Sequence, residues 1–207
     1  MDSSIIFSMQ NISKSFHGVT VFEDFSIDFK YGEIHCICGE NGAGKSTLIK
    51  ILSGAYQADG GTILYKNEPV MIHTPYEAQK MGIQTIYQEH TLFPKLSVTD
   101  NLFAGGELTK NGIVDKRDMR RRTKEILNYL NSKISPDRIV GTLSDSEQKM
   151  VEIARGLLKG SQLLILDEPT SSFSKNEVGY LFEVLDRMRR DGKCIIYIST
   201  ILRKPLR

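Results

Sequence analysis

The sequence predicts an α/β protein with a mainly parallel sheet, an N-terminal antiparallel β subdomain and an inserted helical subdomain. Three observations support this class. Apolar strand patterns alternate with helix-period patterns along much of the chain, as in a parallel sheet with crossover helices. The first thirty residues hold strand patterns separated by turn signals. Residues 89–158 show helix-period patterns and charged stretches instead.

The composition narrows the function classes before any motif is considered. The 207 residues carry 27 Lys plus Arg against 25 Asp plus Glu, a net charge of +2, which gives no overall electrostatic reason to bind nucleic acid or an acidic membrane. No stretch approaches the roughly 18 consecutive apolar residues of a membrane helix. Three scattered cysteines fit a reducing cytoplasm. We therefore expect any work at a membrane to depend on docking to a protein that spans it.

The N-terminal elements follow from local patterns. Strand patterns cover Ile5–Gln10, Thr20–Phe29 and Gly32–Cys38, and the apolar run of the third predicts a strand buried on both faces. A helix is predicted from Lys45 to about Leu52, ended by Gly54. Tyr56–Gly61 is a predicted turn.

The later elements alternate in type. The patterns predict a helix at Tyr76–Met81, a strand at Ile83–Tyr87, a strand at Leu163–Leu166, a helix at about Lys175–Arg190 and a strand at Cys194–Ile198. Strands that recur after helices predict parallel neighbours in one sheet.

A glycine-rich segment follows the third predicted strand and opens the first predicted helix. It matches Gly, any four residues, Gly-Lys-Ser/Thr, the P-loop (Walker A) pattern, with the residues Gly39, Glu40, Asn41, Gly42, Ala43, Gly44, Lys45, Ser46 and Thr47. Glycines let backbone N–H groups turn towards a triphosphate, and the helix N-terminus adds partial positive charge. Lys45 can reach the β and γ phosphates, and the Ser46 hydroxyl can ligate Mg²⁺. The alternative is a plain glycine-rich turn.

Two carboxylates end the apolar strand pattern at Leu163–Leu166. They are Asp167, which would hold the Mg²⁺ shell, and Glu168, which could polarise an attacking water as a general base. A strand that ends in Asp-Glu is weak evidence alone, because such residues are usually solvated. Together with the P-loop, the pair predicts a nucleotide-hydrolysing site.

Taken together, these motifs resemble the nucleotide-binding cassettes of ABC transporters, most closely the N-terminal cassette of ribose-, galactose- or arabinose-type importers. The likeness covers nearly the whole chain and rests on the segments Gly39–Leu52, Ser53–Gly61, Ile86–Glu89, Leu96–Gly105, Gly112–Asp115 and Met119–Arg122. It implies a P-loop NTPase core of RecA-like fold.

The same resemblance implies the domain organisation. A single cassette domain would cover 1–207, with 1–88 and 159–207 as the nucleotide-binding core plus β subdomain, and 89–158 as the helical subdomain with the signature region. The family continues past the last predicted strand with further strands and a helix. We therefore expect the C-terminal end of the family domain to be missing from this chain.

The resemblance assigns roles to residues outside the P-loop. Phe16 would stack on adenine, and Gln88 would sense Mg²⁺ and the γ-phosphate while linking the core to the helical subdomain. Residues 89–93 would face the membrane partner, and 171–174 would form the loop that crosses to an opposing cassette. Alternatives remain open: an edge-strand core residue for Phe16 and a plain surface glutamine for Gln88.

Cofactors and partners are implied in the same way. The expected cofactors are ATP and Mg²⁺, and hydrolysis needs a head-to-tail pair in which a second ABC cassette completes the γ-phosphate site. That cassette could be an identical chain, a different chain or the other half of a tandem. The other expected partners are transmembrane permease subunits and, indirectly, a periplasmic sugar-binding protein. The location would be peripheral, on the cytoplasmic face of the inner membrane.

The signature segment departs from the family pattern. The family has Leu-Ser-Gly-Gly-Gln, whereas this chain has Leu143, Ser144, Asp145, Ser146 and Glu147. Ser144, Asp145 and Ser146 would face the triphosphate of the partner cassette. Ser146 adds a Cβ where glycine lets the backbone approach phosphate, and Asp145 and Glu147 add negative charge beside the triphosphate. Two like charges 4 Å apart repel by up to ~4 kcal/mol at an effective dielectric constant near 20. We predict weak closure over a partner's ATP.

A second departure falls at the switch position. After Ile198 and Ser199 the family has a histidine that contacts the γ-phosphate, whereas this chain has Thr200. Unlike a histidine ring, a threonine hydroxyl cannot take up an additional proton or carry a positive charge at neutral pH. Loss of such a group costs about 10²- to 10⁴-fold in rate, so we predict that ATP binding survives and turnover is reduced.

Three functional hypotheses follow from these features. The first is a working ATPase that drives monosaccharide import. The second is a degenerate cassette that binds ATP, hydrolyses it poorly and has a structural or regulatory role. The third is a soluble P-loop protein acting on nucleic acid, for which the basic stretch Lys116–Lys124 is the only candidate surface. Interspersed acids and absent aromatics favour a solvated helix face there, so nucleic acid is not an expected partner.

Overall fold

A computed structural model of the protein describes residues 4–171 and 173–200. These residues form ten strands, β1 (Ile5–Phe16), β2 (Val19–Lys30), β3 (Ile34–Cys38), β4 (Gly60–Tyr65), β5 (Glu68–Val70), β6 (Ile83–Ile86), β7 (Thr109–Lys110), β8 (Ile113–Val114), β9 (Leu163–Asp167) and β10 (Cys194–Ser199). They also form six α-helices, α1 (Lys45–Leu52), α2 (Pro75–Lys80), α3 (Val98–Phe103), α4 (Lys116–Tyr129), α5 (Asp145–Leu158) and α6 (Lys175–Arg190).

The first sheet is antiparallel and has the strand order β2-β1-β4-β5. Its fully buried residues include Ile6, Phe7, Met9 and Ile12, all 0% exposed. The predicted antiparallel β subdomain is therefore confirmed. β1 extends beyond its predicted end because shifts in the pairing register between Met9 and Lys14 interrupt the alternation of side chains without ending the strand.

The second sheet has the order β3-β10-β9-β6, and β10 runs parallel to both β3 and β9. The predicted α/β class with a mainly parallel sheet is confirmed. β9 and β10 are buried as apolar runs predict. The prediction that β3 is buried on both faces is wrong: it lies at the edge of the described sheet, and Cys36 and Cys38 are exposed. An apolar run does not report whether a neighbour covers each face.

The helices around the sheets largely follow the predicted bounds. α1 and α6 have the predicted limits, and α2 begins one residue early because Thr74 caps it by accepting a hydrogen bond from the Glu77 N–H. Gly54 ends α1 at φ 72°, where an added Cβ would lie 2.7 Å from the Thr74 carbonyl oxygen. Glycine is therefore required at that turn.

The described residues divide into two compact units. Unit 1 holds the described residues of Met1–Thr85, Ser161–Glu168 and Leu185–Arg207, including most of both sheets described above. Unit 2 holds Ile86–Gly160 and the described residues of Pro169–Val184, and within it α3 contacts α4 and α5. The short β7–β8 hairpin in unit 2 was not predicted. Across the residues described, no helix has the length and apolar character needed to cross a membrane.

The basic stretch falls on α4, and its three consecutive arginines are paired with carboxylates. Arg120 forms an ion pair with Asp137, and Arg121 and Arg122 both pair with Asp118. The arginine side chains are at least half exposed, so the pairs are solvated. The arrangement favours the solvated helix face over a phosphate-binding surface.

Candidate nucleotide site

The glycine-rich loop, residues 39–47, joins the carboxyl end of β3 to the start of α1 in unit 1. Within it the Ala43 N–H donates to the Glu40 carbonyl oxygen at 3.2 Å, which makes a turn, and Gly42 has φ 89°. Gly44 has φ 86° and packs so closely on β2 that an added Cβ would lie 3.0 Å from side-chain atoms of Val21 and Phe22. Only glycine fits that position without strain.

The N-terminus of α1 offers backbone donors. Gly44 precedes the helix, no side chain caps it with a hydrogen bond, and its first turn contains no acidic residue. The first N–H groups of a helix have no intrahelical acceptor, and the helix dipole adds partial positive charge there. This end of α1 therefore suits an anion such as a phosphate group.

The Lys45 ammonium is hydrogen-bonded to the backbone of the glycine-rich loop. Its Nζ donates to the Gly39 carbonyl oxygen at 2.6 Å and to the Glu40 carbonyl oxygen at 2.8 Å. The side chain thereby spans the loop, with the charge held by neutral acceptors. The hydroxyl of Ser46, one residue on, is exposed. Phosphate contact by Lys45 and Mg²⁺ ligation by Ser46 stay predictions.

The predicted carboxylates lie at the same edge of the sheet as the loop. Ile198 pairs with Ile37 of β3 and with Asp167 of β9, so the carboxyl ends of all three strands align. Neighbouring strands are about 4.8 Å apart, which places the backbones of β3 and β9 about 10 Å from each other. That span accommodates phosphate groups and a metal ion. Thr200, the last residue described, follows β10 between them.

Glu168 has an unusual backbone conformation for a site residue. Its φ is 45°, in the left-handed region that non-glycine residues rarely occupy, and its N–H donates to the Ile198 carbonyl oxygen at 3.0 Å. Strain of this kind concentrates at functional sites. The bond to β10 fixes the direction in which the chain leaves β9.

The oxygen ligands offered by Ser46 and Asp167 suit Mg²⁺ only if phosphate oxygens supply further ligands. The described residues contain no cluster of three or more His, Cys, Asp or Glu side chains that could hold a metal ion. Mg²⁺ prefers oxygen ligands and is commonly held by one or two carboxylates together with substrate phosphates. A hydroxyl at Ser46 and a carboxylate at Asp167 have the chemistry for such a shared ion.

The predicted adenine platform lies at the end of the β1–β2 hairpin. Phe16 is half-buried, with its ring centroid 5.3 Å from that of Tyr56 and the Lys14 ammonium 5.1 Å from its centre. The Tyr56 ring in turn carries the Lys50 ammonium at 4.8 Å. Tyr56 was not predicted as part of the site. No local sequence pattern marks Tyr56, because the fold alone brings its ring to Phe16.

The remaining predicted site residues belong to unit 2. Gln88 is exposed in an irregular segment after β6. Ser144 caps α5, and its hydroxyl accepts a hydrogen bond from the Glu147 N–H while the Glu147 carboxylate accepts one from the Ser144 N–H. Asp145 has a side chain 62% exposed. Of the expected crossing loop at 171–174, Ser172 lies outside the described residues.

Glu177 and Arg138 bond to side chains of the signature segment, residues 143–147. The Ser146 hydroxyl donates to Glu177, which also accepts the Ser174 N–H at 2.7 Å, and these bonds hold the pKa of Glu177 below its usual value. Glu147 forms an ion pair with Arg138 at 3.1 Å. The Arg138 ion pair therefore partly offsets the negative charge of Glu147. The charge of Asp145 is offset less, because its neighbour is His90 at the longer distance of 3.8 Å.

A glycine loop with a lysine between β3 and α1, beside a strand that ends in two carboxylates, defines a P-loop nucleotide-binding domain. The family profile described as ABC transporter matches residues 22–171 of this chain. The match covers more than half of the chain, so the chain belongs to the ABC transporter family. The resemblance inferred from the motifs is confirmed.

Relatives and solved structures agree with this assignment. A ribose import ATP-binding protein of Escherichia coli O157:H7 is 43% identical over 199 residues, which is 96% of this chain and 39% of the relative. A protein of Agrobacterium fabrum named for ribose, galactose and methyl galactoside import is 42% identical over 198 residues, again 96% and 39%. The chain thus spans about two fifths of the length of these relatives.

A solved structure supports the fold directly. The ADP conformation of an ATP-binding cassette of an ABC transporter superposes with a TM-score of 0.84 at 28% identity, over 95% of this chain and 81% of that chain. The predicted cassette fold is confirmed.

Proposed function

We propose that this chain binds Mg-ATP in the glycine loop of unit 1 and serves in the ATP-binding subunit of a monosaccharide importer. One observation carries the proposal: the loop, its lysine and the paired carboxylates lie at one edge of the parallel sheet. Two relatives above 40% identity are named for ribose or galactose import, which supports the sugar class.

Each site residue has a proposed task. The Lys45 ammonium would leave its two carbonyl acceptors for the β and γ phosphates, while loop amides bind the remaining oxygens. Ser46 and Asp167 would share the Mg²⁺ ion, and Glu168 would polarise the attacking water. The role proposed for Gln88, sensing the ion and the γ-phosphate, rests on the resemblance to the family alone. When bound, Mg²⁺ would neutralise charge on the phosphates.

The adenine platform is proposed on geometry alone. The Phe16 ring is supported on one side by Tyr56 and remains partly exposed, so a base could stack on it. The alternative of an edge-strand core residue predicts no change in nucleotide affinity when the ring is removed.

Membrane partners are proposed for an exposed apolar cluster in unit 2. Phe93, Leu96 and Ile139 are 53%, 41% and 43% exposed. They adjoin because the Leu96 N–H bonds to the Phe93 carbonyl oxygen and Ser97 pairs with Ile139. Exposed apolar residues in a cluster indicate a protein contact. We propose that this surface meets permease subunits at the cytoplasmic face of the membrane, and that a periplasmic sugar-binding protein acts through that permease.

The degenerate cassette is the second candidate, and specific residues favour it. Asp145 presents a carboxylate at the N-terminus of α5, and Thr200 stands where the resemblance implies a histidine. Both would weaken steps that follow nucleotide binding, so the two candidates share the binding site and differ in turnover.

Calorimetric titration of the chain with Mg-ATP tests the binding site. We expect a dissociation constant on the order of micromolar. Lys45→Ala should weaken binding by about 10- to 100-fold, since a hydrogen-bonded charge is lost. Lys66→Ala, which removes an ammonium from the Tyr65 ring in the turn between β4 and β5, is the matched control. No heat with the wild-type chain, or no effect of Lys45→Ala, would overturn the proposal.

Phosphate release separates the two candidates. A complete second cassette is supplied to the chain at saturating Mg-ATP, and inorganic phosphate is followed over time. Release that scales with the amount of this chain supports the working ATPase. Tight binding without any such release supports the degenerate cassette.

A further inference from the structure

A buried ion pair on α5 has no part in the site described so far. The Lys149 ammonium lies 2.8 Å from the Glu152 carboxylate, and the two side chains are only 4% and 2% exposed. Burying two charges is costly, and replacing such a pair by apolar residues is often neutral or stabilising. Stability alone is therefore a weak reason for the pair, and its other hydrogen bonds indicate what it does.

Those hydrogen bonds go to the backbone around Gln88. The Lys149 ammonium donates to the Tyr87 carbonyl oxygen at 2.7 Å and to the Gln88 carbonyl oxygen at 3.4 Å. The Glu152 carboxylate accepts the Thr91 N–H at 2.7 Å and the Thr91 hydroxyl at 3.1 Å. The pair thus holds both ends of the irregular segment 87–91 in place, within unit 2.

The same helix begins at the signature segment. α5 starts at Asp145, so Lys149 and Glu152 lie on its second and third turns. Arg155, one turn further, donates to the Thr91 carbonyl oxygen and hydroxyl. The helix that begins in the signature segment therefore also holds Lys149, Glu152 and Arg155, the side chains that bond to segment 87–91.

We infer that Lys149 and Glu152 are positioning residues that clasp segment 87–91 to α5 and thereby fix where Gln88 is presented. The inference rests on the proposed role of Gln88 in nucleotide hydrolysis. It also means that a displacement of the signature segment is transmitted through α5 to Gln88. We call the Lys149–Glu152 pair and its hydrogen bonds to segment 87–91 the clasp. The clasp would act without contacting the nucleotide.

Hydrogen exchange tests the clasp without any need for turnover. Lys149→Met removes the ammonium at similar volume, and we expect faster amide exchange in segment 87–91, including the Thr91 N–H. Because this variant leaves Glu152 without its cation, the double variant Lys149→Met/Glu152→Gln is tested beside it. The double variant should keep a thermal midpoint near that of the wild type and still show faster exchange. Arg120→Met, which breaks an exposed ion pair in the same unit, is the control.

Turnover then tests the link to Gln88. In the presence of a complete second cassette, the double variant should lower the phosphate-release rate by about 10- to 100-fold, as expected when a catalytic group is displaced. The affinity for Mg-ATP should change little. In a Gln88→Ala background the double variant should have no further effect, because the residue that it positions is gone.

The outcomes separate this inference from the proposed function. Unchanged exchange in segment 87–91 of both variants would overturn the clasp. An equal loss of rate with and without Gln88 would show that the pair acts elsewhere and would overturn the positioning role. If the wild-type protein binds no Mg-ATP, the proposed function fails, while the exchange experiment still decides the clasp.

Discussion

Lys45 shows how a single residue can prepare a phosphate site. Its ammonium is bonded to the carbonyl oxygens of Gly39 and Glu40, so a triphosphate would replace two neutral acceptors by anionic ones. An ammonium is attracted more strongly by an anionic oxygen than by a neutral carbonyl oxygen, because two opposite charges then interact. The exchange therefore favours binding, and the side chain needs only a short movement because both acceptors belong to the loop itself.

His35 predicts how stability depends on pH. Its Nε2 accepts the Lys30 N–H at 3.0 Å, a contact that favours the neutral ring. Burial lowers the pKa of His35, although Glu33 at 3.4 Å acts in the opposite direction. The unfolded chain titrates near its ordinary pKa of about 6.5. Below that pH the unfolded state binds the additional proton, so stability falls as the pH decreases.

Urea unfolding at pH 7.5 and pH 5.5 measures this effect. The wild-type midpoint should be lower at pH 5.5, and His35→Gln, which keeps an acceptor for the Lys30 N–H, should reduce the difference between the two midpoints. An identical difference in wild type and variant would show that other groups cause the pH dependence.

At the scale of elements, Ser144 has a structural role that can be separated from any contact with nucleotide. Its hydroxyl and backbone N–H both bond with Glu147 in a capping box at the start of α5. We predict that Ser144→Ala lowers the free energy of unfolding by about 1 kcal/mol and that Ser144→Gly lowers it by only a few tenths. Denaturant unfolding at pH 7.5 checks both. Equal losses in the two variants would mean that the capping bonds contribute little.

Elements defined by local patterns were predictable. α1 and α6 have clear apolar periodicity and end signals, and β9 and β10 are continuous apolar runs. The β7–β8 hairpin was missed, although the Asn111-Gly112 pair at its turn, with φ of 53° and 79°, is a strong hairpin signal. The exposure of β3 could not be predicted, because it depends on which strands become neighbours.

The functional residues also divide into those that local sequence motifs predict and those that only the fold brings together. The P-loop residues and Asp167 follow from motifs in which residues close in sequence act together. Lys149 and Glu152 contact residues about sixty positions earlier, and no local pattern reports such a pairing. The Tyr56 contact with Phe16 has the same origin, since the fold alone brings these rings together.

At the scale of the whole molecule, we expect the proposed association with a second cassette to depend on charge at the N-terminus of α5. The chain's net charge of +2 exerts little long-range force, so local groups decide the outcome. Glu147 is offset by Arg138, whereas the Asp145 carboxylate is mostly exposed and lies where the proposed partner's triphosphate would approach. Repulsion between exposed charges is screened by salt over about 8 to 10 Å at physiological ionic strength.

We predict that Asp145→Asn strengthens Mg-ATP-dependent association with a second cassette, and more so at low salt. Sedimentation velocity in a Glu168→Gln background, in which hydrolysis should be suppressed, measures the association constant at 25 mM and 300 mM salt, with an expected gain of about 3- to 10-fold at the lower concentration. Asp137→Asn changes the net charge equally on a residue paired with Arg120 and is the control. If both variants strengthen association alike, net charge rather than the Asp145 position is responsible, and the electrostatic account of the altered signature segment is wrong.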